Sequence, residues 1–119
     1  MENLDVKCAG AGREIASKSA ADERLLGRAL GVLEEQGVYA LFLFLEAQGK
    51  DPGRKISQSC LDFLRRNPSS APLLNDGDKW NALQELAKDL NALLFARDLL
   101  RQVLLYARYH LKAKEEQRG

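Results

Sequence analysis

Four cations fall into register in the last third of the chain. Arg101, Arg108 and Lys112 follow Arg97 by four, eleven and fifteen residues, so on an α-helix they stand within about 60° of it on one face. A line of guanidinium and ammonium groups at that spacing is a surface suited to phosphate. A second basic group, Lys50, Arg54 and Lys55, surrounds the turn into a middle helix, where unsatisfied backbone donors and the helix dipole also favour anions. Arg65 and Arg66 close that helix, where cations complement the dipole, and they are left out of the candidate site. The competing reading of the stripe is a solvated face, with Asp98 placed to pair with Arg101.

No other group of residues forms a reactive set. His110 has no Cys or Asp in nucleophile spacing, and Cys8 and Cys60 belong to no CxxC or metal-ligand pattern. No catalytic residue, metal or cofactor is expected. The run Asn75, Asp76, Gly77, Asp78 has a misplaced glycine and no glutamate at the twelfth position for a calcium loop, and reads as a helix N-cap at Asp76 or Asp78. Gly10 and Gly12 form a lone GxG with no strand before it, which excludes a phosphate loop. Gly27 and Gly31 read as close helix packing. Trp80 and Tyr109, with Tyr106 and Phe95, are assigned to core or rim in preference to base stacking.

The elements that must carry these residues are helical. The period is helical throughout, with no sustained alternation bounded by hairpin dipeptides, so the expectation is an all-α single domain of about five helices over residues 1–119, with 1–12 weakly patterned. Asp22 caps a helix carrying Leu25, Leu26, Ala29, Leu30 and Leu33 until Gly37 permits a cap or kink. Val38 to Gln48 is apolar on every side and is expected to be buried on every side. Gly49 ends it, Asp51 caps the next helix and Pro52 sits in its first turn. That helix aligns Ile56, Cys60, Phe63 and Leu64 and stops before Pro68. Asn67 to Gly77 is the one long connection. Asp78 to Lys114 reads as nearly continuous helix, its apolar arc made of Phe95, Ala96, Leu99, Leu100, Val103, Leu104, Tyr106, Ala107 and Leu111. Leu94 and Leu105 project near the cations and mark a protein interface.

Composition limits the function. At 119 residues and 45% hydrophobic content the chain supports one real core. Eighteen Lys plus Arg stand against 17 Asp plus Glu, so any phosphate contact comes from local patches and not from a generally basic domain. Widely separated cysteines suit free thiols in a reducing cytosol. Glu2 and Asp5 break up any signal-peptide pattern, and the longest apolar run, Gly37 to Leu45, is far short of the roughly 20 residues that cross a bilayer. A soluble, cytoplasmic protein with no membrane partner is expected.

QGVYALFLFLEAQGK at 36–50 resembles the helix signature of the small subunit of the type III-B CRISPR effector, the RNA-guided Cmr complex: a glycine, a Leu/Phe-rich helix, and a polar end with Gly and Lys. LLFARDLLRQVLLYARYHLKA at 93–113 is similar to that family's closing helix of leucines, aromatics and basic residues. The two segments cover about a third of the chain, and the region before Asp22 departs most from the family. The resemblance implies a small helical bundle without nuclease activity, stacking with copies of itself beside other subunits of a ribonucleoprotein and helping to hold guide and target RNA. Helix geometry then assigns RNA phosphates to Arg97, Arg101, Arg108, Lys112, Lys50, Arg54 and Lys55, and a neighbouring subunit to Leu94 and Leu105. Two other classes compete: a helix-turn-helix DNA binder, with 38–48 supporting and 53–66 presenting Arg54, Lys55, Gln58 and Ser59, and a purely structural helical adaptor.

Overall fold

A computed structural model describes residues 2–18, 22–48 and 50–118. Among the described residues six helices, against the about five expected, run in chain order: α1 Leu4–Lys18, α2 Glu23–Gln36, α3 Val38–Ala47, α4 Asp51–Arg66, α5 Lys79–Ala87 and α6 Leu90–Arg118. The described residues contain no strand. α1 takes in most of the segment that reads as weakly patterned. Its first turn carries Asp5, and its buried face is formed by Cys8, Gly12, Ile15 and Ala16. Cys8 lies against Leu99, while Gly12 lies against Val103 to Ala107, so α1 and α6 run in the same direction where they touch. A Cβ at position 12 would stand 2.6 Å from Tyr106 Cβ, 2.7 Å from Ala107 N and 2.8 Å from Val103 O. Glycine there serves a helix crossing and has nothing to do with a phosphate loop.

The long C-terminal segment is two helices. The chain leaves α5 at Lys88, and the Asp89 side chain accepts a hydrogen bond from Ala92 N at 3.1 Å, capping a new start. It is α6 that forms the axis of the fold. Ala96, Leu100, Val103, Leu104 and Ala107 are fully buried, and α1, α2 and α5 pack on the faces around them. Phe95 departs from the expected inward arc and is exposed, and Tyr106 and Leu111 are half-buried.

The expectation that α3 is buried on every side is corrected. Val38, Leu41, Phe42 and Leu45 face inward, Phe44 is half-buried, and Leu43 is 48% exposed. A ten-residue helix at the edge of a small domain packs chiefly on α2 and α4, with narrower contacts to α5 and α6, and these leave the side bearing Leu43 uncovered. Gly37 ends α2 and starts α3 in one residue with φ 101°, its N–H donating to the carbonyls of Leu33 and Val32; that φ is one that side-chain-bearing residues rarely adopt.

The acids expected to cap helices do so at α2 and α5 but not at α4. Asp22 accepts from Leu25 N at 2.7 Å and Asp78 from Asn81 N at 3.1 Å. Asp51 is instead the first residue of α4; Lys50 occupies the N-cap without a side-chain cap bond, and Pro52 sits in the first turn. Gly49 lies outside the described residues. The long connection is fastened by Arg65, which donates to the carbonyls of Asn75 (3.0 Å) and Gly77 (2.8 Å). Glu46 ties three helices together, accepting from Ser57 on α4 at 2.7 Å and Lys79 of α5 at 2.8 Å. Partial burial raises its pKa, but these two donors outweigh that and leave it below the ordinary carboxylate value.

Candidate nucleic-acid interface

The basic stripe of α6 lies along the seam with α2, and three of its four cations are ion-paired there. Arg101 Nε is 2.7 Å from Glu34 Oε1, and Glu23 Oε1 is shared at 3.3 Å by Arg108 Nε and Lys112 Nζ. The expected open line of charge is therefore corrected: α2 occupies the near side of it, and Arg101 pairs with Glu34, not Asp98. Arg97 is half-buried and has no ion-pair partner among the described residues. Gly27 faces the Arg108 guanidinium, 3.7 Å from where a Cβ would stand, while Gly31 has open space around it. The GxxxG spacing thus marks no tight helix contact. All three bridges are partly solvated, so each is worth about 0.2–1 kcal/mol and exchanges readily for another anion.

Two arginines that the sequence reading passed over complete the surface. Arg24 and Arg28 are exposed, one turn apart on the outer face of α2. With Asp22, Lys50 and Gly53 they border a cleft of about 220 Å³ between the start of α2 and the α3–α4 turn. A wider, open cleft of about 570 Å³ lies on their other side, bounded by Glu23, Gly27 and Arg108. The Arg28 guanidinium carbon is 5.2 Å from the Phe44 ring centroid, a cation–π contact. Along this seam Arg24, Arg28, Arg101, Arg108 and Lys112 stand against Asp22, Glu23 and Glu34, a local surplus of positive charge. Lys50 joins this cleft, whereas Arg54 and Lys55 are exposed on α4 and do not line it. The signal that would have found Arg24 and Arg28 is their i, i+4 spacing, the same signal used for the α6 stripe.

The two leucines assigned to a protein interface separate. Leu94 is exposed, one turn after the exposed Leu90 and beside Phe95. Leu105 is half-buried against the core, which corrects its assignment as a projecting residue. Tyr109, assigned to core or rim, is 59% exposed, while Trp80 is half-buried against Tyr39 with ring centroids 5.6 Å apart.

The remaining reactive groups are withdrawn. Burial pushes the Cys60 thiol up to about 12 and the Cys8 thiol up to about 11; Cys8 Sγ donates weakly to Leu99 O at 3.7 Å. Among the described residues no three His, Cys, Asp or Glu side chains are grouped to hold a metal ion, and no helix is long and apolar enough to cross a membrane. No family model, curated protein or solved structure matches the chain.

Proposed function

We propose that this chain is a non-catalytic small subunit of an RNA-guided, RNA-targeting assembly of the type III-B CRISPR kind, cytoplasmic, stacking with copies of itself and holding RNA by its phosphates. The observation that carries the reading is where the two resembling segments lie. The first segment contains all of α3 and the second most of α6, and both helices pack against α2 beside the surface where cations exceed carboxylates. A modest local surplus suffices, because several subunits lined up along one RNA multiply a weak contact. Exposed Leu90, Leu94 and Phe95 at the start of α6 offer apolar area for a neighbouring subunit.

The structural-adaptor reading draws support from the ion pairs to Glu23 and Glu34, which already satisfy much of the α6 stripe. The DNA-binding reading draws less: on α4, Gln58 is committed to Asp62 at 2.9 Å, placing a carboxylate on the face that would meet the groove. The test is recovery of the tagged chain from its native cells at low salt. The expected result is co-purification of short guide RNAs with the backbone subunits of such a complex. Recovery of the chain free of both RNA and those subunits would defeat the reading.

A further inference from the structure

We propose that the cleft between the start of α2 and the α3–α4 turn is a phosphate subsite, in which Arg24, Arg28 and Lys50 hold a phosphodiester group of single-stranded RNA. The inference rests on the RNA reading above and names its principal contact, which is not the α6 stripe. None of the three cations has an ion-pair partner among the described residues, in contrast to Arg101, Arg108 and Lys112. Two of them sit at i and i+4 on one helix, where like charges repel, and the third converges on the same cleft from another element. Among the described residues Asp22 is the one carboxylate lining it; one of its oxygens accepts from the Leu25 amide at 2.7 Å, and three cations stand against its single charge.

Lys50 occupies the N-cap of α4 without a side-chain cap bond, and the Asp51 carboxylate in the first turn complements the positive end of that helix, so the positive charge at the cleft comes from the three side chains themselves. An anion resolves that arrangement. Arg28 is positioned for it, its guanidinium carbon 5.2 Å from the Phe44 ring centroid, and a guanidinium offers forked N–H donors to phosphate oxygens. The cleft, about 220 Å³, is smaller than the roughly 300–1,000 Å³ typical of drug-sized ligand pockets, and suits a phosphate with its sugar. The wider cleft across Arg24 and Arg28 ends at Arg108, so the next phosphate along a strand meets the stripe, where it can exchange with Glu23.

The test uses the full chain, a labelled single-stranded RNA of mixed sequence and a salt series read by fluorescence anisotropy. R24Q/R28Q/K50Q is compared with the wild type and with R101Q/R108Q; all three sites of the first variant are solvent-exposed, and circular dichroism checks that it folds. The expected result is a loss of at least about tenfold in affinity at low salt, with a log–log salt slope shallower by about 2 for three lost contacts, and a smaller loss for R101Q/R108Q. Inorganic phosphate should raise the melting temperature of the wild type and not of the triple variant. If the wild type binds RNA and the triple variant keeps its affinity and slope, this subsite is refuted while the RNA reading survives. If phosphate stabilises the wild type but RNA does not bind, the cleft takes a free phosphate compound and the proposal is overturned. If neither binds, the RNA reading falls with it.

Discussion

Alanine at position 12 is a stringent test of how α1 is attached. The added methyl would stand 2.6–2.8 Å from Tyr106 Cβ, Ala107 N and Val103 O, and ordinary contact begins near 3.4 Å. Two of the three obstacles are backbone atoms inside α6, which cannot rotate away, so α1 and α6 must part by about 0.6 to 0.8 Å. Separating well-packed surfaces in that way typically costs about 1–3 kcal/mol. Replacing glycine by alanine in a helix also contributes about 1 kcal/mol of stability, and Gly10→Ala isolates that gain: position 10 lies in the same helix, is exposed, and has nothing within 4 Å of its Cβ site. Gly10→Ala should therefore stabilise the chain, and Gly12→Ala should fall below it by the crossing cost alone. Urea unfolding followed by far-UV circular dichroism should show the two midpoints separated by on the order of 1 M. Equal midpoints would refute the close crossing and with it the docking of α1.

Truncating Phe42, 1% exposed beside Leu41 and Leu45, to alanine should cost about 3–5 kcal/mol, measurable in the same unfolding experiment. Glu2 supplies a pH dependence. Lys7, and then Ser69, whose backbone N–H donates at 3.0 Å, hold its carboxyl down to about 2 from the ordinary 4.5. Its folded value is the lower one, so its stabilising contribution is complete above about pH 4.5 and is lost as the pH falls through about 2. The stability difference between wild type and Glu2→Gln should be constant above that window and shrink within it; a difference that persists unchanged to the acid end would contradict the contact. The purified chain should hydrolyse neither RNA nor DNA with any divalent metal, and cleavage abolished by replacing one of its own carboxylates would overturn that expectation.

Much of the fold was legible because α2, α4 and α6 carry broad apolar faces and clear stops: Asp22, Gly37, Pro52 and Pro68 each act where their chemistry places them. What was not legible depends on neighbours. α1 has few large apolar residues, and its place is decided by Gly12 meeting the α6 backbone, a contact that local periodicity does not register. The break at Lys88 and Asp89 is a one-residue capping event inside a helical pattern. The composition of α3 says that it can be buried on all sides but not whether enough neighbours exist to do so, and Leu43 is left outside. In the candidate site, spacing alone put Arg97, Arg101, Arg108 and Lys112 on one side of α6, but not which helix would lie beside them. Glu23 and Glu34 became partners of the stripe only through tertiary packing, and Lys50 came together with Arg24 and Arg28 only through the turn that follows α3.

The most direct measurement of the central claim is equilibrium binding of the wild-type chain to single-stranded RNA, RNA duplex and DNA duplex of equal length over a salt series. The expected result is sequence-independent RNA binding whose logarithm falls linearly with the logarithm of salt concentration, by about 0.7 for each phosphate contact on a single strand. Preference for duplex DNA would instead support a groove-reading α4, and no binding to any of the three at low salt would leave the basic seam a solvated face and contradict the claim.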